Sequence, residues 1–214
     1  MIFHDRTHAA FLMAHELRKY HQKNAIILAI PRGGVPIGYT IAHQLELPLE
    51  VVLVKKIGHP GNPEYAIGSV SSTELILSDT AGISEAYIQS EIKRLRKAMQ
   101  EKYKVFMNGK KPSDLRGKIT ILVDDGLATG NTMLACIEHV RKSHPKEIIV
   151  AVPVSSTSAY RKIKDSADEL ICLYTAADFS AVGQFYENFS EVTDETVTQL
   201  MSKASATQVA EKDK

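Results

Sequence analysis

At 214 residues the chain has room for one domain of ordinary size with a full core. Hydrophobic residues at 44% and charged residues at 24% give a globular balance, and a formal net charge of +1 offers no broad field for a polyanion, which argues against nucleic acid as a partner. No apolar run approaches the roughly 20 residues that a bilayer crossing needs, and MIFHDRTHAA places charge where a signal peptide needs an apolar segment, so a cytoplasmic protein without membrane contact is expected.

The first predicted element is a helix from Asp5 to about Gln22, with Ala9, Leu12, Met13 and Leu17 on its inward face. Ala25 to Pro31 is a continuous apolar run suited to a buried strand; Arg32-Gly33-Gly34 follows, and then a helix through Leu45. Glu50 to Ile57 reads as a second strand that ends in Lys55 and Lys56. It runs into GHPGNPEYAIG, rich in glycine and proline, which marks 58–72 as a mobile loop, although 66–71 and 74–78 could pair as a hairpin. A long helix from Ser84 to about Met107 carries the stripe Ile88, Ile92, Leu95, Met99, Tyr103 and Phe106, with Ile83 and Ile88 spaced as a hydrophobic staple.

Beyond Pro112 strands and helices alternate. Strands are expected at 118–123, 147–154 and 169–174, and helices at 131–143 and 156–164. Such alternation implies a doubly wound, mainly parallel sheet flanked by helices, an α/β architecture. Residues 178–189 (DFSAVGQFYENF) are irregular and aromatic, and a short helix at 193–201 precedes a polar tail. The expected organisation is one domain over 1–203 and a disordered tail over 204–214. Cys136 and Cys172 fall in apolar patterns without neighbouring metal ligands and read as reduced core thiols; His4, His8 and His15 read as surface residues.

The densest chemistry follows the strand at 118–123, in ITILVDDGLATGNTM. In a parallel sheet ligands sit beyond the carboxyl ends of the strands, where Asp124 and Asp125 emerge. Two adjacent carboxylates repel, so a diol or a cation is their natural partner. Gly126, Thr129, Gly130 and Thr132 then lead into a helix N-terminus, where converging N–H groups and the helix dipole make a phosphate seat. An alternative is a plain helix start, with Asp125 or Thr129 as cap and glycines serving only the turn, but the full run describes a ribose 5-phosphate site. There is no G-x-x-x-x-G-K-[ST] and no G-x-G-x-x-G, which argues against a P-loop nucleotidase and a dinucleotide enzyme.

VDDGLATGNT closely resembles the phosphoribosyl pyrophosphate motif of type I phosphoribosyltransferases, and residues 3 to about 190 resemble the bacterial stand-alone group of unassigned acceptor. The resemblance implies that Asp124 and Asp125 hold the ribose hydroxyls, and that Ala128, Thr129, Gly130, Asn131 and Thr132 wrap the 5′-phosphate. It places Arg32, Gly33 and Gly34 in the pyrophosphate loop and one of Lys55 or Lys56 beside them. By strand alternation the other lysine faces away, and the alternative is a pair of ordinary solvated lysines.

The segment 58–72 corresponds to the flexible catalytic loop. Its Glu64 is either the acid that assists the acceptor or an ordinary loop carboxylate, and the question matters because Ala128 stands where relatives with a local acid carry it. Residues 178–189 correspond to the acceptor hood, with Phe179 placed to stack on a planar base, Val182 beside it, and Glu187 near metal and pyrophosphate; Phe185, Tyr186 and Phe189 could instead cap the core. The implied reaction moves a phosphoribosyl group to a small nitrogen acceptor with Mg²⁺ held mainly by the substrate, in a homodimer. The rival reading, a regulator that senses phosphoribosyl pyrophosphate and acts on nucleic acid, lacks a basic face. A pyrophosphokinase would need two related domains.

Overall fold

The computed structural model describes residues 2–72, 74–78 and 80–212; the side chains of Glu64 and of 207–212 lie outside the described set. The elements in chain order are α1 (Arg6–Glu16), a 3₁₀ turn (Arg18–Tyr20), β1 (Ala25–Ala29), α2 (Gly34–Leu45), β2 (Leu49–Val51), β3 (Lys55–His59), β4 (Asn62–Val70), β5 (Leu75–Leu77), α3 (Glu85–Phe106), β6 (Ile119–Val123), α4 (Asn131–Arg141), β7 (Glu147–Ser156), α5 (Thr157–Lys164), β8 (Glu169–Ala176), a second 3₁₀ turn (Val182–Phe185) and α6 (Asp194–Lys212).

The main sheet has the order β2-β1-β6-β7-β8, and all its neighbours pair in parallel. Its strands are apolar on both sides because helices cover both. Ile27, Ile121 and Ile149 face α1, α2 and α6, meeting Met13, Leu17, Ile37, Ile41, Val197 and Met201. Their sequence neighbours Leu28, Leu122 and Val150 face the opposite layer, where α4 and α5 supply Met133, Cys136, Ile137, Ala159 and Ile163. Strand alternation therefore splits one set of apolar runs into two cores.

The remaining strands form a separate three-stranded antiparallel sheet, β3-β4-β5, covered by α3. Ile57, Ile67 and Val70 pack there against Ile88, Ile92, Leu95 and Met99, with Ile83 joining Ile88 at the start of the helix. The Ser84 hydroxyl accepts from Tyr87 N–H at 3.3 Å as N-cap.

Several expectations are corrected. The strand expected at 50–57 is two: β2 stops at Val51, residues 52–54 leave the main sheet, and Lys55 and Lys56 open β3 rather than closing β2. The mobile loop expected at 58–72 is mostly β4 and the end of β3, an antiparallel hairpin with register shifts around Gly58. α1 ends at Glu16 rather than near Gln22, and Leu12 is 39% exposed while Ala9, Met13 and Leu17 are buried. Of the tail expected to be disordered over 204–214, the part through Lys212 continues α6, with Ala204 packed in the core, and 213–214 lie outside the described residues. Cys136 is buried but Cys172 only half-buried, and His4, His8 and His15 are exposed.

Candidate active site

The sequence order of the main-sheet strands reverses between β1 and β6, so the loops leaving their carboxyl ends diverge and open a crevice. Those two loops are 30–34 and 124–130. They are fastened at the base, where Ile30 N–H donates to Val123 O at 2.9 Å. A β-carbon on Gly34 would stand 2.6 Å from Val123 O and 2.9 Å from Asp124 Cα, and one on Gly33 would overlap the Asp125 carboxylate. Only glycine lets the backbone of the first loop lie against the acid pair of the second. The Pro31–Arg32 peptide is cis.

Asp124 and Asp125 emerge directly after β6. Asp125 N–H donates to Asp124 Oδ1 at 2.9 Å. Asp124 keeps some solvent contact, but the protein packed around it pushes its carboxyl well above the usual range. The neighbouring Asp125 charge adds to that shift, and the Asp125 N–H and Arg6 offset part of it. Asp125, 9% exposed, is also raised by burial, against the opposing pull of Arg6. Arg6 reaches over from the first turn of α1: Nε and Nη2 both donate to Asp125 Oδ2, at 3.0 and 2.9 Å. The Tyr186 hydroxyl donates to Asp125 O at 2.7 Å, and burial together with both aspartates holds that phenol in its neutral form.

The phosphate-seat residues follow. Leu127 is drawn to the neighbouring strand: its N–H donates to Val154 O, and its carbonyl accepts from Ser156 N–H, both at 2.9 Å. Ala128 and Thr129 are left exposed at the tip. Gly130 adopts a left-handed conformation, φ 73°, and turns the chain into α4. The Ser156 hydroxyl donates to Ala128 O at 2.7 Å, and Lys162 of α5 donates to Thr129 O at 3.1 Å and Asn131 Oδ1 at 2.8 Å. The loop is thus held from behind, and Asn131 N–H, the first of α4, donates to Thr129 Oγ1 at 3.4 Å, while the N–H groups that follow are those a helix start leaves without intrahelical partners.

Part of this set lines two clefts, one bounded by Arg32 and the other by its chain neighbour Pro31. One, of about 450 Å³, is lined by Arg6, Arg32, Gly33, Asp125, Phe189 and Glu191. The other, of about 780 Å³, brings Pro31, Lys55, Lys56, Ser78, Asn131 and Thr132 together. Both lysines line it, although alternation had suggested that one would face away; as the opening residues of β3 they are both exposed. Arg32 donates to Glu191 Oε1 at 2.8 Å and lies 3.9 Å from Asp194.

The hood differs in detail from its expected layout. Phe179 packs tilted on Phe185, ring centroids 5.1 Å apart, and Phe185 and Tyr186 are buried with Phe3. Val182 lies against the phosphate loop, where a β-carbon on Gly126 would meet its Cγ1 at 2.7 Å. The ring beside the acid pair is Phe189, whose centroid lies 3.9 Å from Arg6 Cζ. Glu187, expected near metal, bonds His4 Nδ1 at 2.9 Å, which raises the His4 pKa; both side chains are largely exposed. The Glu64 side chain lies outside the described residues. Arg6, Lys162 and Glu191 were not anticipated. The one available signal for Arg6 was a cation at the start of a helix, where the dipole disfavours it.

A doubly wound sheet whose switch point holds an acid pair flanked by a glycine-arginine loop and a helix N-terminus defines an α/β protein with its candidate ligand site beyond the carboxyl ends of the strands. The family model described as the phosphoribosyl transferase domain matches residues 4–189, and the chain belongs to that family. Two Mycobacterium tuberculosis proteins with provisional phosphoribosyl transferase names, MT0597 and Rv0571c, are each 32% identical over 95% of this chain; the chain spans about half, 47%, of their length. The crystal structure of TT1426 from Thermus thermophilus superposes with a TM-score of 0.85 at 37% identity, covering 95% of this chain and 99% of that one. The fold is that of the type I phosphoribosyltransferases.

Proposed function

We propose that the chain moves the 5-phosphoribosyl group from phosphoribosyl pyrophosphate to a nitrogen atom of a nucleobase, releasing pyrophosphate. The observation that carries this reading is the packing of Gly33 and Gly34 directly against Asp125 and Asp124. It puts a candidate pyrophosphate loop within one substrate length of a candidate ribose loop. In the transfer, the bond from C1 to the pyrophosphate oxygen breaks as the acceptor nitrogen closes on C1, through an oxocarbenium-like transition state.

Asp124 and Asp125 accept from the ribose hydroxyls and favour the positive charge that develops on the ring. Ala128 to Thr132 take the 5′-phosphate, and Arg32, Lys55 and Lys56 take the leaving group. Glu64 is the carboxylate proposed for the acceptor, since Ala128 offers none. The carboxylate of Asp124, which accepts from the Asp125 N–H, is a hard oxygen donor of the kind Mg²⁺ accepts alongside substrate oxygens. When bound, Mg²⁺ supplies charge neutralisation to the departing pyrophosphate.

The test is pyrophosphate release from Mg²⁺ and phosphoribosyl pyrophosphate across a panel of purines, pyrimidines and simple amines. Release with at least one nucleobase is the expected outcome. Tight donor binding without release for any acceptor overturns the transferase reading in favour of a sensor, a reading that the missing acid at Ala128 favours.

A further inference from the structure

Arg6 occupies the first turn of α1, beside the positive end of the helix dipole, yet its side chain is only 12% exposed. Three contacts hold it there. Nε and Nη2 donate to one oxygen, Asp125 Oδ2; Nη1 donates to Ser190 O at 2.8 Å; and the planar face lies 3.9 Å from the Phe189 ring centre. The fork edge, the third nitrogen and the π face are each used once, a set that lysine cannot reproduce. Three segments far apart in sequence meet in this one side chain. Just beyond the hood, Glu191 is gripped in parallel by Arg32 of the glycine-arginine loop.

At Asp125 the consequence is geometric. Both guanidinium donors land on Oδ2, so Oδ1 is the oxygen that Arg6 leaves for a ligand. The backbone of the same residue is fixed separately by Tyr186, and Gly33 crowds the carboxylate from the other loop. A free aspartate side chain would turn about two bonds; this one is pinned on one oxygen. Rotation here would misplace the acceptor for a ribose hydroxyl by an ångström or more, a displacement costly in any site that works by positioning.

We propose that Arg6 is a positioning residue for the phosphoribosyl donor: it fixes Asp125 with Oδ1 presented to the ribose and ties that orientation to the hood through Ser190 and Phe189. The proposal rests on the reading of Asp124 and Asp125 as the ribose-binding pair. Arg6 acts on the donor through Asp125, so its removal weakens ligands in proportion to their ribose contacts and not to their charge.

The experiment is calorimetric titration of the wild-type chain, Arg6→Lys and Arg6→Gln with Mg²⁺ and three probes: phosphoribosyl pyrophosphate, ribose 5-phosphate and inorganic pyrophosphate. Both variants are expected to lose about ten- to hundredfold in affinity for the two ribose ligands while holding pyrophosphate within about twofold. A further variant, Arg6→Ala, titrated in the same way, is expected to show the same selective loss and to recover part of it on addition of guanidinium. Arg6→Lys retains charge and stem, and so carries the test should Arg6→Gln unfold. Wild-type affinity for ribose 5-phosphate in Arg6→Lys, or an equal loss for all three probes, overturns the proposal and leaves Arg6 as background charge. A wild-type chain that binds none of the ribose ligands overturns the donor reading and this proposal with it; normal wild-type binding with unchanged variants overturns the proposal alone.

Discussion

Asp124 is the residue at which stability and the proposed chemistry conflict. Burial raises its carboxyl pKa, so the folded chain holds that proton more tightly than the unfolded chain, whose aspartates titrate near about 3.9. A raised folded pKa contributes stability that is fully present below the unfolded value and is lost as pH rises through the folded value. Asp124→Asn removes the ionisation and should raise the unfolding temperature at pH 8 by about 2–8 °C, taking about 1–2 kcal/mol for the relieved carboxylate and about 2–4 °C per kcal/mol. The advantage should shrink toward pH 4.5, and a gap that does not change with pH would show that Asp124 titrates as an exposed acid. The same variant should lose turnover, the usual exchange at a site that keeps an unfavourable group for function. The acid pair and its glycines were legible in the sequence because they form one contiguous run. Arg6 and Phe189 were not, because their roles arise only when residues 6, 125 and 189 meet, and no local pattern encodes that meeting.

Among the elements, β1, β6, β7 and α3 were legible since long apolar runs and a six-residue stripe leave little choice of conformation. The division at residues 52–54 was not. EVVLVKKI is uniformly strand-forming, and strand propensity does not say which sheet a residue joins; pairing with Ala29 ends after Val51, and Lys55 finds Val70 instead. Glycine and proline in 58–63 suggested a loop but in fact sit at a hairpin turn and its register shifts. This second sheet has a core of its own, in which Ile92 is 5% exposed. Ile92→Ala should cost about 2–5 kcal/mol locally. Amide exchange should then rise through β3–β5 and α3, while β1, β6 and β7 keep their protection, the pattern of a separate cooperative unit. A uniform rise across both sheets would show instead that the molecule opens as one.

For the molecule as a whole, the proposed donor site draws on widely separated stretches of the chain, since the clefts lined by Pro31 and by Arg32 also take Lys55, Lys56, Asp125, Asn131, Thr132 and residues 189–191. None of these stretches is close to another in sequence, so the site exists only when the sheet, the hood and the hairpin are all in place. Ligand that bridges both clefts must therefore stabilise the folded chain against global unfolding by RT ln(1 + [L]/Kd), about 2.7 kcal/mol at a hundredfold excess over Kd. For a chain of this length that is a rise of about 5–11 °C in unfolding temperature with Mg²⁺ and phosphoribosyl pyrophosphate. Ribose 5-phosphate and pyrophosphate together, each unlinked, should give less at the same concentrations, because the second fragment binds without the effective concentration that a covalent link provides. The difference between the linked and unlinked ligands measures how closely the two loops are spaced for one substrate. If the mixture matched the intact donor, the clefts would be acting as independent anion sites, and the packing of Gly33 and Gly34 on the acid pair would have no role in donor recognition.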